Sequence, residues 1–232
     1  MGSAVGDALC ACGHEVLWAS EGRSAETRER AAGFRDVRTV AELVRHAELI
    51  LSICPPHAAL DVAQSAPGFG GLYVEANAIS PGRPLEVAAL QPEFVDGGIV
   101  GPPPRERGMT RLYLSGERAD EAAAVFAGSF VDARVVSDAS AVKMTYAAWS
   151  KGTAALLLSI RDVAAHFGVL AELEAEWLES VPELIERLES AERSAAAKGW
   201  RWVGELEEIA DTFAAAGEPD GFHRAAAEVF RP

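Results

Sequence analysis

Only a few side chains in this sequence have the types and spacing to do chemistry, and the first of them sit at its start. Gly2 and Gly6 bracket small Ser3 and Ala4 at the head of a helical pattern over 3–12, followed by a turn at Gly13 and a strand pattern over Val16–Ala19. A strand, then G-x-G-x-x-G, then a helix holds a pyrophosphate at the helix N-terminus, because the glycines let backbone N–H groups come close. Two such glycines are present here, and taken alone they also fit close packing in a terminal helix. The strand over Val16–Ala19 leads into "ASEGRS". In a dinucleotide fold this end reaches the adenosine ribose, where an acid takes the 2′-OH of NAD and an arginine takes the 2′-phosphate of NADP. Glu21 suits the first; Arg23 with Ser20 and Ser24 suits the second, and the fixed fork of donors on arginine favours NADP. Ser24 also fits the N-cap of a helix over 24–32.

Further along, "SICPPH" closes a strand at Cys54, Pro55 and Pro56. Cys54 has no His–acid pair near it in sequence, so a small buried residue is a better reading than a nucleophile. Asn77 and Ser80 stand in "EANAISP", which reads equally as a polar turn before Pro81. The glycines of "DGGIVGPP" permit close approach of backbone to a ligand or form a plain turn. Lys143, in "AVKMTYAAW", is on its own residues an ordinary helical lysine.

These residues are carried by two kinds of chain. Strand patterns fall at Val16–Ala19, Leu49–Cys54, Leu72–Ala76, Glu93–Gly97, Arg111–Ser115 and Ala133–Val136. They alternate with helical patterns at 3–12, 24–32, 39–46, 57–65, 83–89 and 118–127. Such alternation argues for an α/β sheet with helices on its faces. After Asp138 the strand signals stop. A long Ala-rich helix runs from a cap at Asp138 or Ser140 to Gly168, with Gly152 marking close approach of another helix. Helices follow at roughly 170–179, 182–197, 201–216 and 220–230. The expected domains are 1–137, a Rossmann-type parallel sheet, and 138–232, all-α.

The net charge is −14 with no basic patch, which argues against nucleic acid. No apolar run is long enough to span a bilayer, and the first residues lack the basic and apolar regions of a signal peptide. Three cysteines and five histidines show no zinc spacing. The expectation is a reduced, metal-free cytoplasmic protein whose partner is a small molecule.

The order "GHEV", "AELILSICPP", "VEANAISP", "VDGGIVGPP" and "SAVKMTYAAWSKGTAALLLSI" resembles the β-hydroxyacid dehydrogenase superfamily. Within it, the chain is similar to the 6-phosphogluconate dehydrogenase-like NAD(P)-binding oxidoreductases whose helical C-terminal half is a domain of unknown function. The family begins with a strand and G-x-G-x-M-G, and this chain starts at the Met-Gly of that motif. The resemblance therefore implies an N-terminally truncated chain, begun at an internal Met, whose sheet lacks its first strand. It assigns Gly2, Ser3, Ala4, Ser20, Arg23, Ser24, Cys54, Pro55 and Pro56 to the cofactor, with NADP preferred and NAD possible. It assigns Asn77, Ser80 and the loop Gly98, Ile99, Val100 and Gly101 to the substrate. Lys143 becomes the proton donor and acceptor for a substrate hydroxyl or carbonyl, a role that a lysine desolvated in a cleft performs well.

One departure weighs on the substrate. Better-known members carry Asn four residues after the lysine; here that position is Ala147, and Tyr146 is the polar residue on the same helix face. The reading is an NADP-dependent dehydrogenase of a small hydroxyacid or related carbonyl compound, dimeric through its C-terminal helices. Imine reduction is a variant of it. A non-catalytic dinucleotide-fold scaffold is the alternative from another class.

Overall fold

The computed structural model describes residues 1–231 and divides them into two compact units, Met1–Lys143 and Met144 onward. In the first unit the chain runs α1 (Gly2–Cys10), β1 (Leu17–Trp18), α2 (Ala25–Arg30), β2 (Arg35–Asp36), α3 (Val40–His46) and β3 (Leu49–Ser52). A short 3₁₀ turn (Pro56–Ala58) leads to α4 (Ala59–Gln64), β4 (Leu72–Glu75), α5 (Arg83–Ala88) and β5 (Phe94–Val100). Then come β6 (Thr110–Ser115), α6 (Ala119–Val125), β7 (Val131–Val135) and the first turn of α7 (Ala139–His166).

The strands form two sheets, a parallel pair β1–β2 and a five-stranded sheet in the order β3–β4–β5–β6–β7. All neighbours in the larger sheet are parallel except β5 and β6. The sheet is parallel-dominated, as expected, with one antiparallel pairing. The connection over 101–109 is too short for the crossover that a parallel return requires, so β6 folds back on β5. The β1–β2 pair hydrogen-bonds to none of the five strands among the described residues. Strand β2 carries no sequence signal: it is two exposed residues long.

Helices cover both faces of the larger sheet. On one face Val5, Ala8 and Leu9 of α1 and Ala119 and Ala122 of α6 pack on Leu72, Val74, Val95, Leu112 and Leu114. On the other, Ala63 of α4 and Val87 of α5 close over Tyr73 together with Phe69. Successive strand residues point to opposite faces. Leu72, Val74 and Ala76 therefore belong to the first core, while Tyr73, Glu75 and Asn77 face the second. Gly6 is a packing glycine, since a Cβ there would lie 2.6 Å from the Phe34 ring.

The second unit is all helix. It holds the rest of α7, then α8 (Leu170–Ser180), α9 (Glu183–Ala215) and α10 (Gly221–Glu228). The boundary between the units falls at 143/144, inside α7, where the change of sequence character put it at 137/138. The helices expected at 182–197 and 201–216 are one continuous helix, α9. Gly199 does not break it, because a Cβ there would sit 3.3 Å from the Phe230 ring that packs against that turn. Gly152 on α7 does meet another helix: Phe222 and His223 of α10 lie 3.2 and 3.4 Å from where its Cβ would be. No helix among the described residues is long and apolar enough to cross a membrane.

Candidate active site

Ligands of open α/β sheets bind outside the carboxyl ends of the strands. In the first unit these ends gather most of the residues singled out in the sequence. Strand β3 ends at Ser52 and opens into Cys54, Pro55 and Pro56, with Pro56 at the first position of the 3₁₀ turn. The head of α1 lies beside this loop: a Cβ on Gly2 would be 3.8 Å from that of Ile53. Gly2, Ser3 and Ala4 form the first turn of α1, which has no side-chain cap. The N–H groups of such a turn have no intrahelical acceptor.

Ser20, Arg23 and Ser24 follow β1. Arg28 pins this loop by donating from Nη2 to the Ser20 carbonyl (2.8 Å) and from Nε to the Arg23 carbonyl (3.3 Å). Ser24 is the N-cap of α2, accepting from Thr27 N–H at 3.2 Å, as its position suggested. The Arg23 side chain is exposed, and its charge reaches Cys54. Burial nevertheless pushes the Cys54 thiol up to about 11, so it stays protonated at neutral pH and is no nucleophile.

Asn77 is buried at 3 % exposure and joins two loops. Its Oδ1 accepts from the Cys54 backbone N–H; its Nδ2 donates to Glu75 Oε1, Ser52 Oγ (3.1 Å) and Cys54 Sγ (3.2 Å). Ser80 is buried at the end of the same loop, its carbonyl accepting from Arg83 N–H at 3.0 Å.

The "DGGIV" segment is not the open loop expected of it. Gly98, Ile99 and Val100 continue β5, paired with Tyr113, Leu112 and Arg111, and only Gly101 lies beyond the strand. Ile99 packs its side chain into the first core. The space above Gly98 belongs to α7: a Cβ there would lie 2.6 Å from Lys143 Cβ and 3.0 Å from the Ala139 carbonyl oxygen. Gly101, at φ +112°, turns the chain tightly past Met109. These two glycines serve packing of the chain against itself.

That packing sets Lys143. The first turn of α7 is tied to the sheet by Asp96, whose Oδ2 accepts from Ser140 N–H (2.8 Å) and whose Oδ1 accepts from Ser140 Oγ (2.6 Å). Ser115 Oγ accepts from Ala139 N–H (2.9 Å) and donates to Asp96 Oδ2 (3.1 Å). One turn on, the Lys143 ammonium donates to the Ile99 carbonyl at 2.6 Å. Tyr146 belongs to the second unit, 49 % exposed.

Glu75, Asp96, Ser52, Ser115 and Ser140 form the polar frame of this site; of these the sequence singled out Ser140 alone, and only as a helix cap. Their only signal there is an acid near the end of each of two apolar runs, "LYVEA" and "FVDGG". Among the described residues no group of His, Cys, Asp and Glu could hold a metal.

A small-residue helix head, a buried amide and a helix-borne lysine thus gather at the ends of β3, β4 and β5, and an arginine stands on the loop after β1. Residues 164–232 match the family described as a domain of unknown function, DUF1932. The conserved protein MTH1747, of unknown function and described as structurally similar to 3-hydroxyacid dehydrogenases, superposes at a TM-score of 0.72. It is 26 % identical, over 98 % of this chain and 91 % of that one. The chain is 3-hydroxyacid dehydrogenase-like in fold. Two more structures share the dehydrogenase-like fold. One is the 3-hydroxyisobutyrate dehydrogenase of Mycobacterium tuberculosis with L-serine (17 % identity, 99 % of this chain and 89 % of that one, TM-score 0.68). The other is the reductive aminase of Aspergillus terreus with NADPH and ethyl levulinate (16 % identity, 99 % and 88 %, TM-score 0.61). A curated relative, an uncharacterized 28.5 kDa protein of Methanothermus fervidus, is 29 % identical over 167 residues, 68 % of this chain and 65 % of that protein. The chain thus aligns with just under two thirds of that relative's length.

Proposed function

We propose that this chain is an NADP-dependent oxidoreductase that transfers hydride between the nicotinamide and a small hydroxyacid or related carbonyl compound. The observation that carries the reading is the placement of Lys143. Its ammonium is fixed by the Ile99 carbonyl on a helix turn that Asp96 and Ser115 lock to the sheet, one strand away from the Asn77 loop. A lysine held in this way gives or takes a proton at the substrate oxygen while the hydride moves at carbon, and positioned proton transfer of this kind contributes a factor of about 10²–10⁴. Asn77 and Ser80 orient the substrate from the β4 side.

The residues present suit a dinucleotide. The head of α1, without a side-chain cap, offers small residues and backbone N–H groups to a phosphate, and exposed Arg23 stands on the loop after β1, where a 2′-phosphate would lie. When bound, the nicotinamide supplies or accepts the hydride. The Aspergillus reductive aminase, which is described with NADPH, supports a nicotinamide cofactor. Imine reduction is the variant to test beside it, because buried Ala147 leaves the helix face after Lys143 without a polar residue at that position.

A homodimer completes the reading. Tyr146, Trp149, Leu156, Val163 and Phe167 are exposed along α7 at successive intervals of three, seven, seven and four, the seam spacing of paired helices. A second copy is the partner that would cover it.

The test is a titration with NADPH, and separately NADH, followed by tryptophan fluorescence, then a screen of small hydroxyacids, ketones and imines. Saturable binding that is tighter for NADPH is expected. Lys143→Ala is expected to keep that binding and lose turnover by about 10²–10⁴; turnover at the wild-type rate would remove Lys143 from its role.

A further inference from the structure

Ser52, Glu75, Asp96 and Ser115 stand in one register row across four neighbouring strands, β3 to β6, and all four are buried. Polar groups inside a sheet are tolerated when hydrogen-bonded. Asp96 meets that condition with both oxygens. Glu75, fully buried, does not. Its Oε1 accepts from Asn77 N–H at 3.1 Å and from Asn77 Nδ2, and the Ser52 hydroxyl lies near enough to favour its charged form, while no well-formed hydrogen bond reaches its Oε2. The Tyr73 hydroxyl, on the same strand and face, is also buried, near Ser52 and without a well-formed hydrogen bond.

The Asn77 amide fits only one way round. Its oxygen meets a donor, the Cys54 N–H, and its nitrogen meets an acceptor, Glu75 Oε1. Turned over, it would set NH₂ against N–H and oxygen against a carboxyl oxygen. Glu75 is thus the group that decides what Asn77 presents to Cys54.

We propose that Glu75 is a positioning residue: its buried carboxyl fixes the Asn77 amide and, through it, the Cys54 backbone N–H, so that the loops after β3 and β4 move as one piece. The proposal rests on the oxidoreductase reading in one respect, that these two loops take the cofactor and the substrate. The carboxyl has two states within reach of neutral pH, because burial pushes it up to about 7. The titratable groups that face it are Cys54 from the loop after β3, Tyr73 on its own strand and Asp96 from β5. The 3₁₀ turn, α4 and α5 bring His57, Asp61, Arg83 and Glu86 to that side, none of them buried. Neutral Glu75 can donate from Oε2 while Oε1 keeps accepting from Asn77; ionised Glu75 leaves an unpaired charge beside the amide. The pair of loops therefore senses the proton.

The experiment follows amide resonances of the ¹⁵N-labelled chain from pH 5 to pH 9, without nucleotide. The Cys54 backbone amide and the Asn77 side-chain NH₂ are expected to shift together with a midpoint near pH 7. Glu75→Gln should flatten both curves, and Asn77→Ala should flatten that of Cys54. A flat wild-type curve, or a Cys54 curve that persists in Glu75→Gln, overturns the proposal. If Glu75→Gln fails to fold, the wild-type and Asn77→Ala curves decide. NADPH titrated at pH 6 and pH 8 then reads the functional link: a several-fold change in wild-type affinity is expected, absent from Glu75→Gln, and equal wild-type affinities overturn the link. Failure to bind NADPH at any pH would overturn the oxidoreductase reading and leave the resonance result standing.

Discussion

Asp96 and Glu75 are neighbours in one row of the same sheet, both buried, and burial is the main force raising the pKa of each. Their surroundings differ. Asp96 is enclosed by Ser115 and Ser140 and serves as the anchor of α7. Glu75 has one oxygen in use and one without a well-formed hydrogen bond. A buried carboxyl with both oxygens bonded fixes a structure; one left half-bonded at neutral pH retains a choice of protonation state. The Lys143 side of the site is thus rigidly held, whereas the Asn77 side can respond.

The comparison breaks most readily at Asp96. Asp96→Ala orphans the buried Ser140 N–H and hydroxyl and frees the first turn of α7. The expected loss is on the order of 4 kcal/mol, read from urea unfolding, with about half recovered in Asp96→Asn, which keeps an acceptor. A loss under about 1 kcal/mol would mean that the anchor lies elsewhere.

Glu75 predicts an effect that depends on pH. Its folded-state pKa lies above the ordinary carboxyl value of 4.5, at about 7. Between these two values the native chain holds a proton that the unfolded chain has released, so stability falls as pH rises through the window and levels off above it. The difference in unfolding free energy between wild type and Glu75→Gln should change by about 3 kcal/mol from pH 4 to pH 8, in favour of the variant at the higher pH. Parallel pH–stability curves would refute the assignment.

Gly98→Ala gives the smallest effect and sharpens the contrast. The added methyl would press first on Lys143 and Ala139. A destabilisation of about 2 kcal/mol is expected, together with a drop in turnover and no change in the pH response of Cys54.

Much of this was legible in the sequence. The strands at Leu49 and Leu72, the long helix after Asp138 and the caps at Ser24 and Asp138 follow from local pattern and side-chain chemistry, and the structure carries them. Lys143 and Asn77 were singled out through a family likeness, since neither stands out by local pattern. Glu75 and Asp96 escaped notice because their meaning lies across strands: each is one acid in an apolar run, and the row they form appears only once β4 and β5 are in register. The glycines at 98 and 101 were open to two readings for the same reason, as what fills the space above Gly98 is a helix turn some forty residues later in the chain. Strand β2 and the unbroken α9 depend on tertiary contacts that outweigh weak local preference.

The row from Ser52 to Ser115 also has a kinetic consequence. Its four members come from strands that must all be aligned before Glu75 is sealed from water, so the desolvation of that carboxyl belongs to the last part of folding. A contact formed after the transition state alters the rate of unfolding and leaves the folding rate nearly unchanged. Raising the pH through the neutral range should therefore steepen escape from the native state while refolding proceeds at its former pace, and the lifetime of the folded chain, more than its formation, would carry the mark of that single proton.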